Sequence, residues 1–135
     1  IAAGESLSIA QEDIKLTGHA IECRVNAEDP DRKFLPCPGT ISYMYLPGGC
    51  GVRVDSAVYP GYTIPPYYDS MIVKLIAWGQ DRQEALAKMH SALGEVVMDG
   101  IKTNVDFLYR ILEHPVFREG KADTNFIEQY VQQTV

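Results

Sequence analysis

The sequence predicts an α+β fold, an antiparallel β-sheet followed by segregated C-terminal helices. Three observations carry this expectation. Before residue 80 apolar and polar residues alternate with the period of a strand; after it the period lengthens to about 3.6, that of a helix. The strand-like segments also come as a run ahead of the helices, whereas a parallel βαβ fold would interleave the two.

Residues 1–7 read as the end of a helix, with Gly4 in the position that commonly closes one. Residues 8–15 are polar and read as a linker or short helical turn, and residues 16–26 as the first strand. Pro30, Pro36, Pro38 and Gly39 make 28–39 a loop. Residues 40–46 and 51–57 both alternate, and Pro47-Gly48-Gly49-Cys50 between them predicts a hairpin joining the two. A loop over 60–66 precedes 70–78, which is apolar on both faces except at Lys74, as a buried central strand would be. Asp81 and Glu84 predict a capped helix start. Ala85, Leu86, Met89, Leu93, Val96 and Val97 form one stripe, and Gly100 closes the helix. Thr103 with Asp106 opens a second helix carrying Leu108, Ile111 and Leu112, which Pro115 ends. A last short helix is expected over 124–133.

At 135 residues and 46% hydrophobic content, the chain has length enough for one domain with a proper core and too little for two. The net charge of −6, with no basic stripe interleaved with aromatics, argues against nucleic acid as a partner. No apolar run is long enough to cross a bilayer, and residues 1–5 lack signal-peptide character. No membrane partner and a cytoplasmic location are therefore expected. Cys23, Cys37 and Cys50 are odd in number and far apart, fitting reduced structural thiols better than a disulfide framework or a metal knuckle. His19, His90 and His114 share no spacing with each other or with a cysteine, so no metal site is expected.

Arg24 is the leading functional candidate. It lies in Gly18-His19-Ala20-Ile21-Glu22-Cys23-Arg24-Val25-Asn26-Ala27-Glu28-Asp29-Pro30, where Ile21, Cys23 and Val25 point one way and Ala20, Glu22 and Arg24 the other. A guanidinium keeps its proton at working pH and presents a planar fork of donors suited to a carboxylate, bicarbonate or a developing oxyanion. The competing reading is a surface pair with Glu22 or Glu28, energetically weak.

Two further blocks accompany it: Pro65-Pro66-Tyr67-Tyr68-Asp69-Ser70-Met71-Ile72-Val73-Lys74-Leu75-Ile76, and Gly100-Ile101-Lys102-Thr103-Asn104. With the first block and at this spacing, they resemble the C-terminal domain of the biotin carboxylases, over about residues 1–130. Blocks of this length are far more specific than a short glycine pattern. The resemblance implies that residues 1–15 are the end of a preceding ATP-grasp region with its linker, and that 16–135 are the C-terminal domain.

In that family ATP activates bicarbonate, and the biotin of a carrier protein is carboxylated. The resemblance implies that Arg24 holds bicarbonate and then stabilises charge developing on biotin. ATP and magnesium would be bound mainly by the upstream region, so the isolated chain is expected to be inactive. Implied partners are the biotin carboxyl carrier protein, carboxyltransferase subunits and a second copy of the chain. The wording of Asn26-Ala27-Glu28-Asp29 and of residues 99–105 is nearest the acetyl-CoA carboxylase type, which serves fatty acid synthesis; propionyl- and methylcrotonyl-type carboxylases are alternatives, as is a noncatalytic dimerisation or carrier-docking module.

Asp69 and Tyr68 are candidates for the biotin site, Asp69 by orienting Arg24 and Tyr68 as a wall; an Asx turn is the competing role for Asp69. Lys74 is expected to find a carboxylate rather than to act in catalysis. Gly48-Gly49-Cys50-Gly51 lacks the ending of a phosphate loop and reads as a turn. The resemblance places Cys50 and Arg53 at a two-fold dimer interface. Many family members carry phenylalanine where this chain has Cys50, so a weaker dimer is expected.

Overall fold

The computed structural model describes residues 1–131. Its strands are β1 (His19–Asn26), β2 (Glu28–Asp29), β3 (Leu35–Pro36), β4 (Gly39–Thr40), β5 (Tyr43–Tyr45), β6 (Val52–Ser56), β7 (Thr63–Ile64), β8 (Met71–Gly79) and β9 (Val97–Asp99). Its helices are α1 (Arg82–Glu95), α2 (Val105–Glu113) and the single turn α3 (Pro115–Arg118). The mixture of antiparallel strands and C-terminal helices is the predicted α+β fold. The main sheet has the order β1-β8-β6, with both pairings antiparallel. Three two-stranded ladders, β2-β3, β4-β7 and β5-β9, surround it.

Alternation decides which face of the sheet is buried. Ile21, Cys23 and Val25 of β1 and Val73, Leu75 and Ala77 of β8 turn inward, and Leu75 and Ala77 are fully buried. Against Ile21, Cys23, Leu75 and Ala77 pack Ala85, Leu86, Met89, Ala92 and Leu93, the inner stripe of α1, together with Leu112 of α2. A second cluster gathers Val25, Ala27, Ile41, Ile64, Ile72 and Val73 at the other end of the sheet. Gly79 permits the close approach of sheet and helix, since a Cβ there would lie 2.6 Å from the Ala85 amide nitrogen. As predicted, Asp81 caps α1 by accepting a hydrogen bond from the Glu84 amide at 2.9 Å. Glu84 in turn accepts from the Gln80 amide at 2.7 Å and pairs with Lys88.

Several expectations are corrected. Residues 1–7 form a turn closed by a Gly4 amide to Ile1 carbonyl hydrogen bond rather than a helix end, with Gly4 at φ +85°. The first strand starts at His19, and Leu16 is exposed. The loop over 28–39 contains the brief β2-β3 ladder, a 3-10 turn at Pro30–Arg32, and the start of β4. Segments 40–46 and 51–57 do not pair as a hairpin: β5 pairs with β9, while β6 pairs with β8. The first helix stops at Glu95, so Val97 belongs to β9, and Gly100 closes that strand at φ +94°. There a Cβ would stand against the Thr40 carbonyl. Helix α2 starts at Val105 with Asn104 as its capping position, and Pro115 both follows its end and opens α3. Of the last predicted helix, a π-helical turn over Ile127–Val131 is described; residues 132–135 lie outside the described residues. β8 is central in the sheet and is buried on both faces at Ile72 and Val73, whereas toward its other end Trp78 on the outward face is exposed.

Burial pushes the Cys23 thiol up to about 12, with the nearby Glu22 carboxylate adding to the effect. Stability from keeping this thiol neutral is therefore complete below its ordinary value of 9.0 and is lost as the pH rises toward about 12. Because the thiolate is the reactive form, Cys23 in the full-length protein should resist iodoacetamide at about pH 8 until the protein is unfolded. Peptide-resolved mass spectrometry checks this. Rapid native labelling of Cys23 would mean that the inward face of β1 is open.

Candidate functional site

The outward face of the main sheet carries the charged residues. In an antiparallel sheet, residues directly opposite one another project from the same face. Arg24 is opposite Lys74, and Lys74 is opposite Asp55; one step along, Glu22, Ile76 and Arg53 form the parallel row. Two cations therefore stand side by side on β1 and β8, with acidic residues on either side. Such a pair is unfavourable unless anions compensate it.

The two arginines on this face are used differently. Arg53 donates from Nε and Nη2 to the two carboxylate oxygens of Asp55, at 2.9 and 2.8 Å. Its fork is closed. Arg24 donates only from Nε, to Glu22 Oε1 at 2.7 Å. Among the described residues its two terminal nitrogens make no hydrogen bond, and its side chain is 65% exposed. The edge formed by Nη1 and Nη2 is thus free to receive a planar anion in bidentate fashion. The hydrogen bond and charge of Glu22 hold the guanidinium more firmly protonated, with a smaller Coulombic contribution from Asp69.

Glu22 is therefore the carboxylate that orients Arg24. Its signal in the sequence is simple, since residues two apart on a strand share a face. Glu28, the other partner considered, is engaged elsewhere: it accepts from Asn26 Nδ2 at 3.2 Å and from the Ser70 hydroxyl. Asp69 reaches Arg24 through its field and makes no hydrogen bond to it. Its Oδ1 accepts from the Met71 amide at 2.7 Å, an Asx turn. Tyr67 and Tyr68 are 87% and 83% exposed and take no part in the core. Tyr68 and Asp69 line a cleft of about 370 Å³ with Asp55, Val58, Met71 and Lys74. The cleft thus adjoins the strand position opposite Arg24. Lys74 makes no direct ion pair among the described residues; its charge helps to hold the Asp55 carboxyl below the usual range, after the stronger effect of Arg53.

Cys50 is exposed, in the turn where the Val52 amide bonds the Gly49 carbonyl at 3.1 Å. The turn is tied to β8 by the Trp78 amide, which donates to the Gly51 carbonyl at 2.7 Å. Cys50 borders a groove shared with Lys88 and Ser91 of α1, while Arg53 lies on the charged sheet face. His19 contacts Arg82 at 3.1 Å, and His90 lies between Glu113 and Tyr109, so both histidines join elements. Among the described residues no group of three or more His, Cys, Asp or Glu is placed to hold a metal ion.

The three sequence blocks meet below Arg24. Asp29, 3% exposed, accepts from Lys102 Nζ at 3.0 Å and from the Asp31 amide at 3.1 Å. The Ala27 amide donates to the Ser70 carbonyl at 2.8 Å. Asn104 bonds the β1 backbone at residues 24 and 26. Apart from the local Asp29–Asp31 bond, none of these contacts was visible as a pair in the sequence, because each partner lies in a different block.

The chain is an α+β module with an open arginine fork on one sheet face, beside a cleft lined by Asp55, Asp69 and Lys74 together with apolar residues. Residues 22–129 match the family of biotin carboxylase C-terminal domains, and the chain belongs to that family. It is 54% identical over 96% of its length to biotin carboxylase 1 of Bacillus subtilis, covering 29% of that protein. It is 52% identical over the same share to a pyruvate carboxylase chain of Methanothermobacter thermautotrophicus, covering 26% of it. The biotin carboxylase domain dimer of the Hydrogenobacter thermophilus 2-oxoglutarate carboxylase, solved with MgADP and bicarbonate, superimposes with a TM-score of 0.94 at 48% identity. That match covers 96% of this chain and 29% of the solved one, so the chain spans under a third of the length of these relatives. Relatives of the biotin carboxylase and pyruvate carboxylase types are close to equally similar, so similarity does not select the acetyl-CoA type that the wording of residues 26–29 and 99–105 suggested.

Lys102 holds the Asp29 carboxyl below its ordinary value of 3.8. The stability this contributes is present above the unfolded value and is lost as the pH falls through the folded one. In the full-length protein, Asp29→Asn should therefore flatten the loss of thermal stability below about pH 4. Melting curves across that range check it; an unchanged acid slope would mean that the pair does not couple to folding.

Proposed function

We propose that this chain is the C-terminal part of a biotin carboxylase, and that Arg24 is its catalytic residue for carboxylation of the biotin borne by a carrier protein. The single observation that carries the reading is the open Nη1–Nη2 edge of Arg24, next to an arginine on the same face whose fork is already closed. A fixed bidentate donor is most effective where negative charge appears during reaction, on bicarbonate and then on the biotin ureido oxygen. Glu22 keeps the guanidinium plane from rotating without occupying that edge. Asp69 and Tyr68 supply one wall of the adjoining cleft, where the biotin ring would lie.

ATP and magnesium act in this reaction by activating bicarbonate, and their binding belongs to sequence preceding this domain in the longer relatives. The isolated chain is accordingly inactive in this reading. The proposed partners are a biotin carboxyl carrier protein, carboxyltransferase subunits and a second copy of the chain. An acetyl-CoA carboxylase assembly in the cytoplasm, supplying fatty acid synthesis, is the setting we assign. A purely structural docking module would have no use for the uncommitted Nη1–Nη2 edge of Arg24.

Arg24→Lys in the full-length enzyme keeps the charge and loses the fork. Carboxylation of free biotin should fall by a factor on the order of 10² to 10³, the cost of one lost oxyanion donor, with the KM for ATP little changed. Steady-state kinetics check this. Near-normal carboxylation would reduce Arg24 to a surface pair, and a large rise in the ATP constant alone would move it to the nucleotide site.

The proposed dimer contact is tested at Cys50. Cys50→Phe adds apolar area that a two-fold axis counts twice, and should tighten self-association of the full-length protein by about tenfold. Sedimentation velocity across a dilution series reads it; an unchanged or weaker dimer removes Cys50 from the interface.

A further inference from the structure

We infer that Asn104 is a positioning residue for Arg24, whose side-chain amide fixes the β1 backbone that aims the guanidinium. This rests on the catalytic role proposed for Arg24. Asn104 Oδ1 accepts from the Asn26 amide at 2.8 Å, and its Nδ2 donates to the Arg24 carbonyl at 3.1 Å. Its own amide donates to the Asn26 carbonyl at 3.2 Å. One residue thus makes three hydrogen bonds to a three-residue stretch centred on Val25. β1 is at the edge of its sheet, and its ladder with β8 shifts register between Val25 and Asn26, so the strand is least regular just beyond Arg24. At that point the Asn104 side chain acts as a one-residue neighbouring strand, supplying an acceptor and a donor where a peptide group would.

The placement of Asn104 argues against a generic role. It occupies the capping position of α2, where asparagine ordinarily bonds the first free amides of its own helix. Here the side chain makes no capping bond. It is turned away to β1 and is buried, at 7% exposure. The helix goes without its usual side-chain cap, and the strand carrying Arg24 is held instead.

The hold extends to the cleft. Asn26, fixed by Asn104 through its backbone, donates from Nδ2 to Glu28; Glu28 also accepts from Ser70, which adjoins Asp69. Arg24 and the Asp69 turn are therefore referenced to one hydrogen-bonded junction rather than to two independent loops. Groups that orient a working side chain in this way typically change activity by 10- to 100-fold when lost.

Only an asparagine meets both bonds at this reach. Ionised aspartate is the same size and can still accept from the Asn26 amide, but it faces the Arg24 carbonyl with a second acceptor. A protonated carboxyl regains the missing donor. This gives a test on the full-length enzyme, with Asn104→Asp, Asn104→Ala and Arg24→Lys assayed for biotin carboxylation and for ADP binding. Asn104→Asp and Asn104→Ala should each lower kcat for carboxylation by about 10- to 100-fold while ADP affinity stays within about twofold. The defect of Asn104→Asp should shrink relative to that of Asn104→Ala as the pH is lowered and its buried carboxyl gains a proton. Combining either with Arg24→Lys should add little, because both act through one group. Full activity in Asn104→Asp and Asn104→Ala overturns the proposal, as does full additivity with Arg24→Lys or a loss of ADP binding in proportion to carboxylation. Failure of both Asn104 variants to yield ADP-binding protein also overturns it, since the residue would then serve the fold. If Arg24→Lys is itself fully active, the catalytic reading of Arg24 fails; if Arg24→Lys is crippled and the Asn104 variants are normal, only the positioning role fails.

Discussion

The register between β1 and β8 is the constraint on which the rest depends. Side chains alternate strictly along a strand, so a slip of one residue would exchange the two faces of β1. Ile21, Cys23 and Val25 would leave the core, and Glu22 and Arg24 would enter it against the apolar stripe of α1. Burying those two charges together without further partners costs more than their attraction returns. The apolar face therefore fixes the orientation of the charged one. Core packing under α1 and presentation of Arg24 are two results of a single alignment.

That alignment was legible because it rests on long local patterns. The alternation through residues 20–25 and the helical stripe from Ala85 to Leu93 each contain enough repeats to define a face. Shorter elements were not legible. Pro47-Gly48-Gly49-Cys50 suits a hairpin, and both flanking segments alternate, yet β5 finds its partner in β9, more than fifty residues away. β9 in turn looked like the last turn of α1, since Val96 and Val97 continue the apolar stripe; the chain leaves the helix after Glu95 and becomes extended at the valines, which favour strands. Pairing between distant segments leaves no local trace. The same holds within the site: Arg24 and Glu22 could be read from a spacing of two, whereas Asn104 before a helix reads as an ordinary cap.

The outward face also shows how nearly identical side chains acquire different availability. Arg24 and Arg53 occupy adjacent rows on the two outer strands, each with a carboxylate two residues away on its own strand. Asp55 is short and meets two nitrogens of Arg53 at once, whereas Glu22, one methylene longer, meets Arg24 only at Nε. The remaining charges, Lys74 and Asp69, keep the face close to neutral in sum. Arg24 is thus distinguished by an unshared edge and not by a strong local excess of positive charge.

The long excursion between β1 and β8 has a consequence for how the molecule tolerates change in length. Residues 27–70 leave the main sheet at Asn26, contribute β6 to it on the way, and return at Met71. The entropy of closing such a loop grows only with the logarithm of its size, so that even a doubling costs about 0.6 kcal/mol. At Gly48 and Gly49 an added Cβ would meet nothing within 4 Å, which marks this turn as open to extra chain. Length can therefore be inserted at the Gly48–Gly49 turn at little energetic expense, whereas one residue inserted within 20–25 would invert the faces of β1 beyond it.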